Sequence, residues 1–105
     1  MPKVVVVAGG TPVNVEAASK VFSSTLRMHL IRHYLANPGP QRDAVEQLGV
    51  TQRAVSVNTR ELVAAGVLVE ESAEDKRFKI YRVDVERVEE LLAAARAFTL
   101  DPHQG

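Results

Sequence analysis

Four polar side chains stand close together between positions 52 and 60, at intervals that place them on one side of a helix. They are Gln52, Arg53, Ser56 and Arg60, and the apolar Val57 lies among them. Arginine and glutamine each make paired hydrogen bonds to base edges, and an apolar side chain contacts a thymine methyl group. The pattern therefore indicates contact with a nucleic acid, and the alternative is a solvated helix face that carries one valine.

A short turn between two predicted helices positions these side chains. Apolar spacing predicts a helix over 41–48, and Thr51 is a good N-cap for a second helix that begins at the next residue. Gly49 and Gly66 stand where these helices would end, and glycine is the usual residue for a left-handed helix end. Two helices joined by so short a turn cross steeply, so residues 41–66 are predicted to form a helix-turn-helix.

The rest of the chain predicts a mainly α-helical protein (α+β) with one small β-hairpin. Its 105 residues suffice for one hydrophobic core, so we expect a single domain over 1–105. A hydrophobic fraction of 46% and a charged fraction of 25% are those of a folded protein. In chain order the predicted elements are a strand at Lys3 to Ala8 with its turn (1–13), two helices capped by Asn14 and broken at Ser23 to Thr25 (14–36), the helix-turn-helix (41–66), a hairpin (67–83), a helix (84–99) and a frayed tail (100–105).

Composition removes several classes of site. The chain has no cysteine, so it has no disulfide, no thiolate metal site and no cysteine nucleophile. His29 and His33 stand four residues apart, but two ligands do not make a metal site and His103 lies in the tail. We expect surface or interface histidines, no metal and no cofactor. Ser23 and Ser24 belong to no acid-base-nucleophile set, so we predict that the protein is not an enzyme.

The apolar run near the N-terminus is too short to cross a membrane, and a single lysine precedes it. We therefore expect a cytoplasmic protein without a membrane partner. The formal net charge is zero, but residues 15–60 carry six basic and three acidic side chains, whereas residues 61–105 carry six basic and ten acidic ones. The charge is thus polarised along the chain, with an excess of positive charge in residues 15–60 and of negative charge in residues 61–105.

Three runs resemble the winged helix-turn-helix transcriptional regulators of the ArsR and MarR type. LGVTQRAVSVNTRELVAAGVLVE resembles their helix-turn-helix and its exit into the wing, and KRFKIYRVD resembles the second wing strand. STLRMHLI is similar to a further family segment and places Arg27 on its arginine. Two positions depart from the family: Val57 stands where members often carry a cation, and Thr59 stands where they carry a buried leucine. We expect the Thr59 hydroxyl to bond back to the Val55 carbonyl.

A helix-turn-helix inserts its second helix into the major groove, with the N-terminal residues toward the bases. Arg53 would then bond a guanine with two hydrogen bonds, Gln52 would bond an adenine, and Val57 would contact a thymine methyl group. The predicted base contacts are Gln52, Arg53, Ser56 and Val57.

Phosphate contacts position such a protein without reading sequence. Arg42 is the best placed, because it lies near the start of the first motif helix. Arg27 has an alternative, which is a pair within the protein, with Glu46 for example. The predicted phosphate contacts are Arg27, Arg32, Arg42, Thr51 and Arg60. The predicted wing contacts are Lys76, Arg77 and Lys79, although an Asp75 to Arg77 pair would consume part of their charge.

The last helix is the predicted dimerisation element, alone or with Val15 to Phe22, because its apolar stripe is long and the resemblance implies dimerisation through terminal helices. Its predicted contact residues are Val85, Val88, Leu91, Leu92 and Ala95; the alternative is that the stripe covers the core of its own monomer. We therefore predict a homodimeric repressor that binds double-stranded DNA and occludes an operator. The alternatives are a winged-helix adaptor that binds protein, and an accessory DNA-architectural or recombination factor of a mobile element.

Overall fold

The structure, a computed structural model, describes residues 8–75 and 77–103. Five helices and one β-hairpin lie within these ranges, as predicted, and the fold is a winged helix-turn-helix. The predicted strand at Lys3 to Ala8 lies, except for Ala8, outside the described residues. In chain order the elements are α1 (Val13–Phe22), α2 (Thr25–Ala36), α3 (Gln41–Leu48), α4 (Gln52–Ala64), β1 (Leu68–Ser72), β2 (Lys79–Val83) and α5 (Val85–Leu100).

Side-chain caps begin three of the helices. Ser24, Thr51 and Asp84 accept hydrogen bonds from the backbone N–H three residues later, at 3.1 to 3.2 Å. The prediction that Asn14 caps α1 is wrong. This helix already begins at Val13, directly after Pro12, and the Asn14 carbonyl oxygen accepts a hydrogen bond from the Arg87 guanidinium at 3.0 Å.

Gly49 makes the sharp turn between α3 and α4. Its φ of 65° is left-handed, a conformation that glycine adopts without steric cost. Gly66 has a φ of 83° and directs the chain from α4 into β1. These two glycines set the angle at which α4 leaves α3 and the point at which the wing begins.

The wing is an antiparallel pair in which Leu68 lies opposite Val83 and Glu70 lies opposite Tyr81. Gly39, just before α3, extends this sheet by one residue, because its N–H and carbonyl both bond to the backbone of Tyr81. The start of α3 is thereby fixed to the middle of β2.

One hydrophobic cluster lies beneath these elements. Leu30, Val55, Leu62 and Leu91 are among its fully buried aliphatic side chains, and α2, α4 and α5 contribute these four. Helix α1 lies against α5 and closes the cluster on the side away from the wing. No helix of residues 8–75 and 77–103 is long and apolar enough to cross a membrane.

Candidate nucleic-acid interface

Helix α4 has one buried side and one side that faces solvent. Val55 and Thr59 are fully buried, as the sequence predicted, but the Thr59 hydroxyl hydrogen-bonds the Tyr34 phenol at 3.2 Å and not the Val55 carbonyl. On the opposite side Arg53 is exposed and Val57 is 46% exposed. The solvent side of α4 therefore presents a cation and an apolar patch side by side.

The other two predicted base-contacting side chains are held by Gln41. The Gln52 amide donates to the Gln41 oxygen at 2.9 Å, and the Ser56 hydroxyl donates to the same oxygen at 2.7 Å. Gln52 also donates to Ser56 at 3.0 Å. These contacts fix the two side chains in one arrangement before any ligand binds.

Gln41 is in turn bonded to the wing. Its amide nitrogen donates to the Tyr81 hydroxyl at 3.2 Å, and that hydroxyl donates to the Glu70 carboxylate at 3.0 Å. Burial raises the pKa of Tyr81 above its ordinary value of 10.0, although the hydrogen bond from Gln41 lowers it. The Tyr81 phenol therefore keeps its proton at neutral pH and remains a donor to Glu70.

Arg42 and Arg60 lie at the solvent surface around this network. Arg42 is exposed, and its guanidinium carbon lies 5.0 Å from the centre of the Phe78 ring in the wing, within the range of a cation-π contact. Arg60 is exposed on α4, and its positive charge is the smallest of the influences on the pKa of Tyr81, which it lowers. Both cations are available to an anion that approaches α4 and the wing together.

The side chains of Thr51 and Arg27 both make hydrogen bonds to other groups of the same chain. The Thr51 hydroxyl oxygen accepts from the Ala54 N–H, so it caps α4 while it is exposed. Arg27 donates from Nε to the Asn58 side chain at 2.9 Å and from a terminal nitrogen to the Lys20 carbonyl at 2.8 Å.

These contacts match the internal alternative for Arg27, although the partners are Asn58 and the Lys20 carbonyl and not Glu46. They connect α1, α2 and α4 through one guanidinium group. Arg32, on the same helix, is exposed.

The wing tip carries the expected ion pair. The Arg77 guanidinium Nε lies 3.9 Å from the Asp75 carboxylate. The backbone N–H of Arg77 donates a hydrogen bond to the same carboxylate at 3.1 Å. Lys79 donates to the Ser72 hydroxyl across the hairpin at 3.1 Å. Lys76 lies outside the described residues. Exposed pairs of this kind are weak, so Arg77 and Lys79 remain accessible to a stronger anion.

The predicted dimerisation residues of α5 fall into two groups. Leu91 is fully buried, so its side chain belongs to the core of the monomer and not to a surface that a partner could reach. Val88 and Ala95 are half-buried and pack against the same core. Val85 and Leu92 are 48% and 46% exposed. The apolar stripe is therefore wider than the monomer core, because it has one edge inside and one edge outside.

A second apolar surface lies at the far end of α5. Phe98 is 50% exposed and lines a groove of about 700 Å³ between α5 and the start of α1. The groove floor is apolar, with Ala94 and Ala97 from α5 and Val15 from α1. Phe98 lies in the same direction on the helix as Leu91, yet it is half exposed because it is near the end of α5.

The histidines are not arranged for a metal. His33 is 7% exposed and packs edge-on against Tyr34, with ring centres 5.2 Å apart, so the prediction of a surface histidine is wrong at this position. His29 is exposed on the same helix. Within residues 8–75 and 77–103 no group of three or more His, Cys, Asp or Glu side chains has the arrangement of a metal site.

Gln41 and Phe78 are the two residues of this surface that sequence analysis missed. Gln41 carries only the signal of a polar residue at the start of α3, and its role depends on contacts with residues 11, 15 and 40 positions away. Phe78 is an aromatic residue in a wing otherwise rich in charge, and that contrast was the available signal.

Comparison with known proteins reveals similarity in fold. No protein-family model and no curated protein matches the chain. Among solved structures, the chain is similar to a protein described as a possible transcriptional regulator for arsenical resistance, with a TM-score of 0.67 and 21% identity over 88% of this chain and 90% of that one. It is also similar to the transcriptional regulator BldR from Sulfolobus solfataricus, with a TM-score of 0.61 and 18% identity over 82% of this chain and 63% of that one. At these identities the likeness establishes the winged helix-turn-helix fold.

Proposed function

We propose that the protein is a DNA-binding transcriptional regulator that inserts α4 into the major groove. The observation that carries the proposal is the solvent side of α4, where Arg53 and Val57 project beside the fixed pair of Gln52 and Ser56. A surface that only met water would gain nothing from a half-exposed valine among ordered polar groups, whereas a major groove offers both polar edges and thymine methyl groups. A chromosomal partner also makes the cytoplasm the expected location.

Arg42, Arg60 and Lys79 supply the phosphate contacts in this proposal. All three are exposed, and they flank α4 from α3, from α4 itself and from the wing. Arg42 starts from the first turn of α3, where backbone N–H groups also point outward. The pattern matches a motif whose first helix crosses the DNA backbone while the second enters the groove.

The salt dependence of binding to random duplex DNA tests this proposal. Three phosphate contacts on each of two protomers predict a slope of log K against log salt of about −5, since each contact contributes about −0.9. Arg42→Ala should make the slope less negative by about 1 for each protomer. Lys20→Ala is the matched control, because it removes an exposed cation at the end of α1 that has no assigned phosphate contact, and it should leave the slope unchanged.

A flat salt dependence in the wild-type protein would refute the DNA-binding proposal and favour a winged helix that binds protein. An equal effect of Arg42→Ala and Lys20→Ala would refute only the assigned phosphate contacts. The two results are distinguishable, because the first concerns the unaltered protein.

We also propose a homodimer formed through α5 and the start of α1. The exposed edge formed by Val85 and Leu92 and the groove beside Phe98 together give α5 an apolar surface that residues 8–75 and 77–103 leave uncovered. A two-fold dimer would present two α4 helices to half-sites about 34 Å apart, and binding across a promoter would repress by occlusion.

The test of the dimer is the molar mass in solution by light scattering. Leu92→Glu should give a monomer that remains folded, because Leu92 is 46% exposed and outside the core. Met28→Glu is the matched control, since Met28 is 48% exposed on α2 and should leave the dimer intact. A dimer that survives Leu92→Glu would place the interface elsewhere.

A further inference from the structure

The hydrogen bonds between the wing and α4 form a chain whose direction is set at one end. Glu70 is a carboxylate of β1 that lies directly opposite Tyr81 in the hairpin. A carboxylate only accepts hydrogen bonds, so the single hydroxyl hydrogen of Tyr81 must point toward Glu70. The Tyr81 oxygen is then left with lone pairs only, and it must accept from its other neighbour.

That neighbour is Gln41, and the constraint passes through its amide. Because Tyr81 has no second hydrogen, Gln41 must direct its NH₂ group toward Tyr81 and its carbonyl oxygen toward α4. The orientation of an amide is often ambiguous, but here the chemistry of Glu70 determines it. The Gln41 oxygen receives two hydrogen bonds, from Gln52 at 2.9 Å and from Ser56 at 2.7 Å.

The last step concerns the polarity of Gln52. Ser56 uses its only hydrogen on Gln41, so its oxygen accepts from the second hydrogen of the Gln52 NH₂ group at 3.0 Å. Both amide hydrogens of Gln52 are then engaged inside the protein, and its carbonyl oxygen remains without a hydrogen bond among the described residues. Gln52 is exposed, so this oxygen is the group that a ligand meets.

We propose that Glu70, acting through Tyr81 and Gln41, sets Gln52 as a pure hydrogen-bond acceptor toward DNA. Gln52 then selects a base that offers an exocyclic amino group in the major groove, which is adenine or cytosine. It does not make the two-bond contact with adenine, because that contact needs a free amide hydrogen for the N7 atom. This inference rests on the proposed function and changes the contact that the sequence predicted for Gln52.

Gln41 and Glu70 are positioning residues in this scheme, and their effect is on specificity. Arg53 and Val57 contact other base positions, so they discriminate independently of the chain. Overall affinity and its salt dependence belong to the phosphate contacts and do not depend on the direction of the chain.

The first experiment identifies the base and the bond. Selection from randomised duplexes with the wild-type protein and with Gln52→Ala locates the base pair that Gln52 reads. At that position, replacing the base by its analogue without the exocyclic amino group should weaken binding about three- to tenfold, the range for one hydrogen bond. For adenine, 7-deazaadenine lacks only the N7 acceptor and should bind as well as adenine itself.

A guanine or thymine at the selected position would overturn the inference, because neither offers an exocyclic amino group in the major groove. If 7-deazaadenine lost as much affinity as the analogue without the exocyclic amino group, the inference would also be overturned, since that result indicates the two-bond contact with adenine. Cytosine and adenine both agree with the inference, and the selection distinguishes them.

The second experiment reverses the chain. Glu70→Gln replaces an obligatory acceptor with an amide that also donates, so Tyr81 can direct its hydrogen toward Gln41. The preference for the amino-bearing base should then fall about three- to tenfold. Glu71→Gln is the matched control, because it removes the same charge from the neighbouring residue of β1, whose carboxylate pairs with Arg82 instead.

Unaltered discrimination in a folded Glu70→Gln protein would overturn the proposed role of Glu70. A protein in which Glu71→Gln lowers discrimination as much would overturn it too, since charge alone would then be the cause. Tyr81→Phe provides a second break in the chain and keeps the ring that packs 5.6 Å from Tyr34. Failure of the wild type to bind duplex DNA with a salt dependence would refute the proposed function instead.

Discussion

Replacing Thr59 with valine should destabilise the protein by about 1 to 3 kcal/mol, more than replacing Tyr34 with phenylalanine. Both side chains are fully buried, and their hydroxyl groups bond to each other at 3.2 Å. Valine has the shape of threonine, so Thr59→Val leaves no cavity and isolates the effect of the hydroxyl. It leaves the Tyr34 phenol buried without a partner among the described residues, which carries the desolvation cost of an unpaired hydroxyl.

Tyr34→Phe should cost less, about 0.5 to 1.5 kcal/mol. In that variant the Thr59 hydroxyl can turn to the Val55 carbonyl one helical turn earlier, which is an option that the tyrosine does not have. The double variant removes both hydroxyl groups and should be more stable than Thr59→Val alone. The two substitutions are therefore coupled, and their effects should not add.

Equilibrium urea unfolding of the four proteins measures this cycle, with an unchanged m-value as the check that the unfolded state is comparable. A Thr59→Val protein as stable as the wild type would refute the reasoning, as would a double variant whose loss equals the sum of the single losses. The first result would show that the phenol has another partner, and the second would show that the hydroxyl groups do not interact.

The same pair predicts how stability changes at alkaline pH. Burial raises the pKa of Tyr34 above its ordinary value of 10.0, while the hydrogen bond with Thr59 acts in the opposite direction. A raised pKa means that the folded state holds the proton more tightly, so this stability is complete below about pH 10 and falls as pH rises further. The urea midpoint should therefore fall above pH 10, and Tyr34→Phe should reduce that fall without abolishing it, because the pKa of Tyr81 is also raised.

Two further predictions compare matched pairs of substitutions by urea unfolding. Gly66→Ala should destabilise the protein more than Gly49→Ala: both require a left-handed alanine at a cost of about 1 to 2 kcal/mol, but only at Gly66 would the new Cβ meet another side chain, at 3.2 Å from the Arg87 guanidinium. Equal losses would show that Arg87 moves aside despite its hydrogen bonds. Arg27→Ala should cost about 1.5 to 3 kcal/mol by breaking its bonds to α1 and α4, whereas Arg32→Ala on the exposed side of α2 should change stability by less than about 0.5 kcal/mol. Similar effects at the two arginines would contradict the structural role of Arg27.

The fold was predictable because its signals are local. The Thr51 cap, the glycines after α3 and α4, and the change from helical to strand-like spacing each act within a few residues. The failed prediction at Asn14 is also local in origin. Pro12 is compatible with a helix start one residue earlier, and the asparagine is then used by Arg87, which lies 73 positions away.

Periodicity could not separate the two edges of the α5 stripe. Leu91 and Leu92 are adjacent leucines, yet one is fully buried in the monomer and the other is 46% exposed. An apolar stripe records which side of a helix avoids water, and it does not record whether the cover comes from the same chain or from a second one. The packing of α1 and the core against α5 shows which part of the stripe the same chain covers.

Charge raises the same problem for Arg27, and the answer again depends on distant contacts. An arginine in a region of positive charge fits a phosphate contact as well as it fits a structural role. Its guanidinium bonds an asparagine 31 positions away and a carbonyl oxygen at the end of α1, so its charge is engaged inside the protein. The number of free cations around α4 is therefore smaller than the sequence suggests.

On the proposed function, the smaller number of free cations affects how the protein would locate its binding site on DNA. The chain has no net charge, and acidic side chains are concentrated in the wing and α5. With few phosphate contacts, binding to random duplex DNA should be weak at physiological salt, because that binding is almost wholly electrostatic. On the proposed function, selectivity would then depend on a small set of base contacts in one arrangement. The chain of hydrogen bonds from Glu70 to Gln52 would supply such an arrangement without added charge, since it uses neutral amides and hydroxyl groups between the Glu70 carboxylate and the exposed Gln52.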